Sequence, residues 1–230
     1  MNNMDIHKPH PLSISPLLHL IRGKSLLRSL LRRSLTSILL RDRVANQQTL
    51  SVLYDDYCQA TVAGSLAVDL GSGVFPRNPF RCHKSIGIDL KKSSDVMSHD
   101  LSTGSIPLPD VSVSVVTAFD FLEHVPRVLP SHAGSNSLSI RFPFVELLNE
   151  IHRILAPGGL FFSITPAYPW PMAFSDPTHV NTITEETMAN YFCLPALWAR
   201  LYGFDGAFER LDGFWIDCHH VSLMRKHVAP

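Results

Sequence analysis

The sequence predicts an α/β fold: a Rossmann-like, doubly wound and mostly parallel sheet of seven strands with an antiparallel edge hairpin. Two observations predict it. Short apolar runs alternate with helix-length segments, which indicates crossover connections between parallel strands. The first run, Leu66–Leu70, ends in Gly71-Ser72-Gly73, and the following runs lead to Asp89 and Asp100. Open sheets of this kind bind ligands outside the carboxyl ends of their strands, so these residues fall where a site is expected.

Taken in order, residues 1–15 are polar and contain proline, and read as disordered. From Pro16 to Arg43, leucines and isoleucines recur every three or four positions with Arg22, Arg28, Arg32, Arg33 and Arg41 between them. That spacing predicts one or two amphipathic helices with a break at Gly23. Two readings stay open: a helix packed on the domain or a partner subunit, or a basic helix lying on an anionic membrane. An organellar transit peptide shares the same composition. Strands are predicted at Leu66–Leu70, Ser85–Leu90, Val96–His99, Val111–Ala118 and Leu160–Thr165. The stripe Val145, Leu148, Ile151 and Leu155 predicts a helix over Phe144–Leu155. Residues 126–142, rich in Pro, Gly and Ser, read as a surface loop. Ala207–Trp215 and His219–Lys226 predict the closing hairpin.

The 230 residues carry 20 Lys+Arg and 20 Asp+Glu, yet this balance is two charges cancelling. Residues 1–45 hold eight basic and two acidic groups, while 46–230 hold 12 basic and 18 acidic. The chain therefore divides into a basic extension, 1–45, and an acidic domain, 46–230. The domain offers no basic excess for a nucleic acid, and any membrane or protein partner is expected through 16–43. Cys58, Cys82, Cys193 and Cys218 form no CxxC pair, which suits a reducing, cytoplasmic setting. No run of 18 apolar residues predicts a membrane span.

Two cofactor classes compete for the glycine turn. Dinucleotide enzymes use GxGxxG to hold a pyrophosphate, and Gly71-Ser72-Gly73-Val74-Phe75-Pro76 supplies only the first two glycines. Asp69, two residues before the first glycine, and the acidic balance of the domain favour a cationic ligand without phosphate, such as S-adenosylmethionine. A carboxylate at Asp89 suits the two ribose hydroxyls of a nucleoside, and Asp100 an adenine amino group.

At this point the sequence resembles the class I S-adenosylmethionine-dependent methyltransferases, of the type 11 and type 23 domains. Asp69-Leu70-Gly71-Ser72-Gly73 matches their first motif, Gly87-Ile88-Asp89 the second, and His99-Asp100-Leu101 the acidic loop around adenine. Val115 to His124, ending Leu122-Glu123-His124, resembles the fourth-strand motif, and Glu150 to Gly159 the helix and turn before strand five. The resemblance implies that Asp69, Gly71, Ser72 and Gly73 cradle the methionine part of the cofactor. It further implies that Asp89 and Leu90 hold the ribose, that Asp100 and Leu101 hold the adenine, and that Phe119 and Asp120 line the cofactor where substrate enters. His124, Tyr168 and Trp170 are expected to face the substrate. The third glycine is replaced near Phe75, and Pro76 and Pro79 exclude a long first crossover helix. The cofactor tail is then open to help from Arg77 or Asn78.

The activity implied is O-methylation of a small molecule or saccharide. Two alternatives remain: a non-catalytic methyltransferase-like subunit, and a nicotinamide-dependent oxidoreductase. A hydroxyl nucleophile needs a base, and His179 is the candidate, oriented by Asp176 three residues earlier. The competing reading has Asp176 capping the helix near Thr182–Tyr191. No metal is expected, although Asp176, His179 and another acid would suit one.

Overall fold

A computed structural model describes residues 40–132 and 138–228. The amphipathic segment 16–39, with its membrane or partner readings, lies outside the described residues. In chain order the elements are β1 (Arg43–Val44), α1 (Gln47–Asp56), β2 (Leu66–Leu70), β3 (Lys84–Asp89), β4 (Val96–Ser98) and β5 (Val113–Phe119). A hairpin of β6 (Leu129–His132) and β7 (Leu138–Arg141) follows, then α2 (Pro143–Ile154) and β8 (Leu155–Pro166). Last come α3 (Met172–Ser175), α4 (Glu185–Tyr191), β9 (Phe208–Ile216) and β10 (His219–Lys226).

The main sheet has the order β1-β9-β10-β8-β5-β2-β3-β4. From β4 through β8 the strands are parallel, while β10 is antiparallel to both β8 and β9. The chain leaves β2 towards β3 on one side and later returns to place β5 on the other. That reversal is a topological switch point, and the crevice above it is the place where such sheets accept ligands. The expected fold class is therefore observed, with an eighth, two-residue strand at the edge. That strand, Arg43–Val44, falls in the segment read as the extension, yet it pairs in parallel with β9. Asp42 beside it holds Arg210 at 2.5 Å and the buried His220 at 2.7 Å.

No helix connects β2 to β3, as Pro76 and Pro79 require. The apolar layer is completed instead by one side chain of that loop. Phe80, 1% exposed, stands edge-on to Tyr54 of α1 at 5.2 Å and to Phe162 of β8 at 5.4 Å. Leu50 and Leu53 of α1 join the same cluster. Phe80→Ala is expected to cost about 3–5 kcal/mol, because a ring is removed where no helix can collapse into the gap. A shift of the urea midpoint worth less than 1 kcal/mol would show that the loop does not do a helix's work.

On the other face, α2 begins with Pro143 and buries Phe144, Leu147, Leu148, Ile151 and Ile154 in one stripe. It runs directly into β8. Its last turn fixes the loop after β4: Arg153 donates to the carbonyls of Ile106 and Leu108, and Glu150 accepts the Ile106 N–H at 2.7 Å. His152 packs edge-on against Phe208 at 5.3 Å. Burial, with the charge of Lys226 adding to it, pushes His152 from its usual 6.5 down to about 4. The unfolded chain therefore binds this proton first as pH falls. Stability from His152 is complete above about pH 6.5 and is lost as pH drops towards 4. His152→Gln is expected to flatten the stability–pH curve in that window; an unchanged slope in urea titrations would refute the assignment.

Residues 126–142, read as a surface loop, contain the β6–β7 hairpin. The pairing is held by backbone bonds while Ile140 stays 61% exposed, so there was no buried alternation to read.

Candidate functional site

The carboxyl ends of β2, β3, β4 and β5 enclose a cleft of about 550 Å³. Its lining includes Gly71, Asp89, Leu90, Asp100, Leu101 and Asp120 among the expected residues. Phe121, His124 and His99 also line it, and no Lys or Arg does.

Each wall has a structural cause. Gly71 turns with φ +64°, and a Cβ there would lie 2.5 Å from Cγ of Phe121, so the ring and the bare backbone fit face to face. Gly73, at φ +61°, donates its N–H to Asp89 Oδ2 at 2.9 Å. Asp89 thus ties the glycine turn to the end of β3 while its carboxylate faces the cleft. Asp100 Oδ1 accepts from the N–H and the hydroxyl of Ser102, which lowers its pKa and fixes the loop after β4.

Four expected cofactor residues are not among that lining: Gly73, in the turn itself, and three more that are placed elsewhere. Asp69 is 1% exposed and accepts from the Arg77 N–H at 2.8 Å and the Thr117 hydroxyl at 2.7 Å. Burial raises its pKa against those bonds. It is a brace beneath the turn rather than a cleft wall. Ser72 is turned to the sheet, where its Cβ would stand 2.9 Å from any Cβ at Gly87. Phe119 follows the alternation of β5 to the opposite face, packs on Phe162 at 5.6 Å, and is covered by the Arg77 guanidinium at 4.4 Å. Phe121 takes its place in the cleft. Arg77 stacks on Phe119 and Asn78 bonds Cys82 through both ends of its amide, and neither lines the cleft.

The expected Asp176–His179 pair does not form through side chains. Asp176 accepts from the Thr178 N–H at 2.8 Å and its hydroxyl at 2.6 Å, a local turn that captures a short polar side chain. Nor does it cap the helix that follows, since Thr184 caps α4; it ends α3 instead. The His179 side chain is 9% exposed, with Nε2 4.0 Å from Glu123 Oε1 and its ring edge-on to His124 at 4.8 Å. Tyr168 is 53% exposed and Trp170 half-buried, and neither lines the cleft.

Two groups were missed. His219 of β10 holds Asp120 Oδ1 at 3.1 Å, and the pairing with Asp120 raises the pKa of His219. Spacing could not show a pair 99 residues apart; the β8–β10 register, His219 opposite Pro166, creates it. Glu123 is 1% exposed with neither carboxylate oxygen hydrogen-bonded, and burial, with Asp120 adding to it, pushes it up to about 7.

The strand order and the glycine turn at the switch point define a Rossmann-like, doubly wound fold. No protein-family model and no curated protein matches the chain. Among solved structures, the [4+2]-cyclase SpnF is 15% identical, over 82% of this chain and 85% of that one, with a TM-score of 0.50. The YcgJ protein of Bacillus subtilis is 14% identical over 80% and 100%, with a TM-score of 0.48. A Burkholderia thailandensis 1,6-didemethyltoxoflavin-N1-methyltransferase, solved with its substrate and S-adenosylhomocysteine, is 14% identical over 96% and 94%, with a TM-score of 0.45. Several further matches are described as S-adenosylmethionine-dependent methyltransferases. At such identity the likeness to SpnF establishes a shared fold, and a fold does not determine a reaction.

Proposed function

We propose that the protein binds S-adenosylmethionine in this cleft and methylates a hydroxyl of a small molecule or saccharide. The observation that carries the reading is the cleft's charge: three carboxylates, Asp89, Asp100 and Asp120, and no Lys or Arg. A pyrophosphate would meet only repulsion there, whereas a sulfonium and an ammonium would be attracted. The bare Gly71 backbone lets the Phe121 ring pack against the turn, so that both line the cleft with no side chain projecting from the glycine. The residues therefore fit the cofactor.

When bound, the cofactor supplies an electrophilic methyl group for in-line displacement. The protein's own tasks are positioning and exclusion of water. Asp89, beside Leu90, would accept from the ribose hydroxyls, and Asp100, beside Leu101, from the adenine amino group. Asp120, held by His219, sits where β5 ends and accepts the hydrogen bond of the acceptor hydroxyl, with His219 compensating its charge. Asp176 is not part of this arrangement. Calorimetry with S-adenosylmethionine and with NAD tests the reading. Saturable heat with the former alone is expected. Binding of NAD but not S-adenosylmethionine would overturn it, and turnover with hydroxylated acceptors would separate an enzyme from a binding subunit.

A further inference from the structure

We propose that Glu123, His124 and His179 form a site for one divalent first-row transition-metal ion beside the cleft. Each offers one ligand atom, and the three atoms lie within 4.8 Å of one another, the only such group among the described residues. A metal held at about 2.0–2.2 Å from each would draw them to about 3.0–3.5 Å apart, a closure within the reach of side-chain rotation.

The unrelieved burial of one carboxylate and the orientation of a neighbouring imidazole favour a cation over plain packing. First, both Glu123 oxygens are buried without a hydrogen-bond partner. Leaving a buried carboxylate unpartnered is costly, and such atoms ask for an explanation. Second, the neighbours do not relieve it: His179 Nε2 stops at 4.0 Å from Glu123 Oε1, beyond hydrogen-bond distance. Third, His124 is already oriented as ligating histidines are. Its Nδ1 meets the Thr178 carbonyl at 3.2 Å and hydroxyl at 3.0 Å, which leaves Nε2 as the free donor atom. Asp176 holds the Thr178 hydroxyl in turn, which gives that otherwise idle carboxylate a supporting role.

Two imidazoles and one carboxylate suit Zn²⁺, Mn²⁺, Fe²⁺ or Co²⁺ better than Mg²⁺ or Ca²⁺, which prefer oxygen alone. Three protein ligands leave positions open for an exchangeable oxygen. His124 lines the cleft as well, so those positions adjoin the space assigned to the acceptor. An acceptor with a ligating hydroxyl would bind there. That last step rests on the methyl-transfer reading; the metal site does not.

The test uses the full chain, stripped with chelator and titrated with Zn²⁺ and Co²⁺ in the absence of cofactor. One equivalent per chain is expected, with visible absorption bands from bound Co²⁺. Glu123→Gln, which keeps the side chain's shape, and His179→Ala are expected to weaken binding at least about 100-fold and abolish the bands. His227→Asn, at a separate surface pair with Glu209, is expected to leave both unchanged. Absence of stoichiometric binding, or binding untouched by Glu123→Gln, would overturn the site. Should both ligand variants fail to fold, the Co²⁺ spectrum of the unaltered protein decides: bands typical of nitrogen and oxygen ligands support the site, and their absence refutes it. S-adenosylmethionine calorimetry on the same stripped protein keeps failure of the metal site distinct from failure of the cofactor site.

Discussion

Asp89→Ala is expected to lose S-adenosylmethionine affinity by about 3 kcal/mol, on the order of 100-fold, with the fold retained. Two losses combine. The carboxylate that would accept from both ribose hydroxyls disappears, and hydrogen bonds to a charged group are each worth about 1.5–3 kcal/mol. The Gly73 N–H also loses its partner, so the glycine turn is no longer tied to β3. Asp89→Asn keeps an acceptor for Gly73 and should lie between the two. Calorimetry checks the affinity and thermal unfolding the fold. If Asp89→Ala binds as tightly as the unaltered chain, the ribose lies elsewhere.

The second large effect belongs to Gly71. Gly71→Val places a β-branched residue at φ +64° and drives its Cβ into the Phe121 ring. The left-handed conformation and the overlap together are expected to cost about 3 kcal/mol of stability, and the displaced ring closes the cleft. Gly73 provides the contrast within the same turn. Its φ is +61°, but a Cβ there meets nothing within 4 Å. Gly73→Ala should therefore cost only about 1 kcal/mol, the conformational part alone. Adding Phe121→Ala to Gly71→Ala should recover the overlap component. Urea titrations of the four variants measure these differences. Equal losses at positions 71 and 73 would mean that Phe121 yields without cost and the close fit has no weight.

The frame of this site was legible because it depends on order along the chain. A glycine turn after the first strand and an aspartate at the end of the next need only local spacing, and β2, β3 and the turn lie as expected. The side chains were less legible. Phe119 and Asp120 were both read as cleft residues, but strand alternation sends Phe119 to the opposite face. Asp120 then takes φ +48°, which resets the direction of the chain and brings Phe121 onto Gly71. Asp176 and His179 looked paired at a three-residue spacing, yet Thr178 between them captures the carboxylate. Glu123 and His179 are 56 positions apart, and His219 reaches Asp120 only through sheet pairing. Contacts of that kind follow from register and loop closure, which spacing does not encode.

The most direct test of the cleft assignment is a crystal structure of the full chain with S-adenosylhomocysteine. Density for the nucleoside is expected in the 550 Å³ cleft, with the ribose on Asp89 and the adenine beside Asp100 and Leu101. Density in the groove lined by Phe142, Tyr191, Trp198 and Tyr202 instead, with Asp89 untouched, would contradict it.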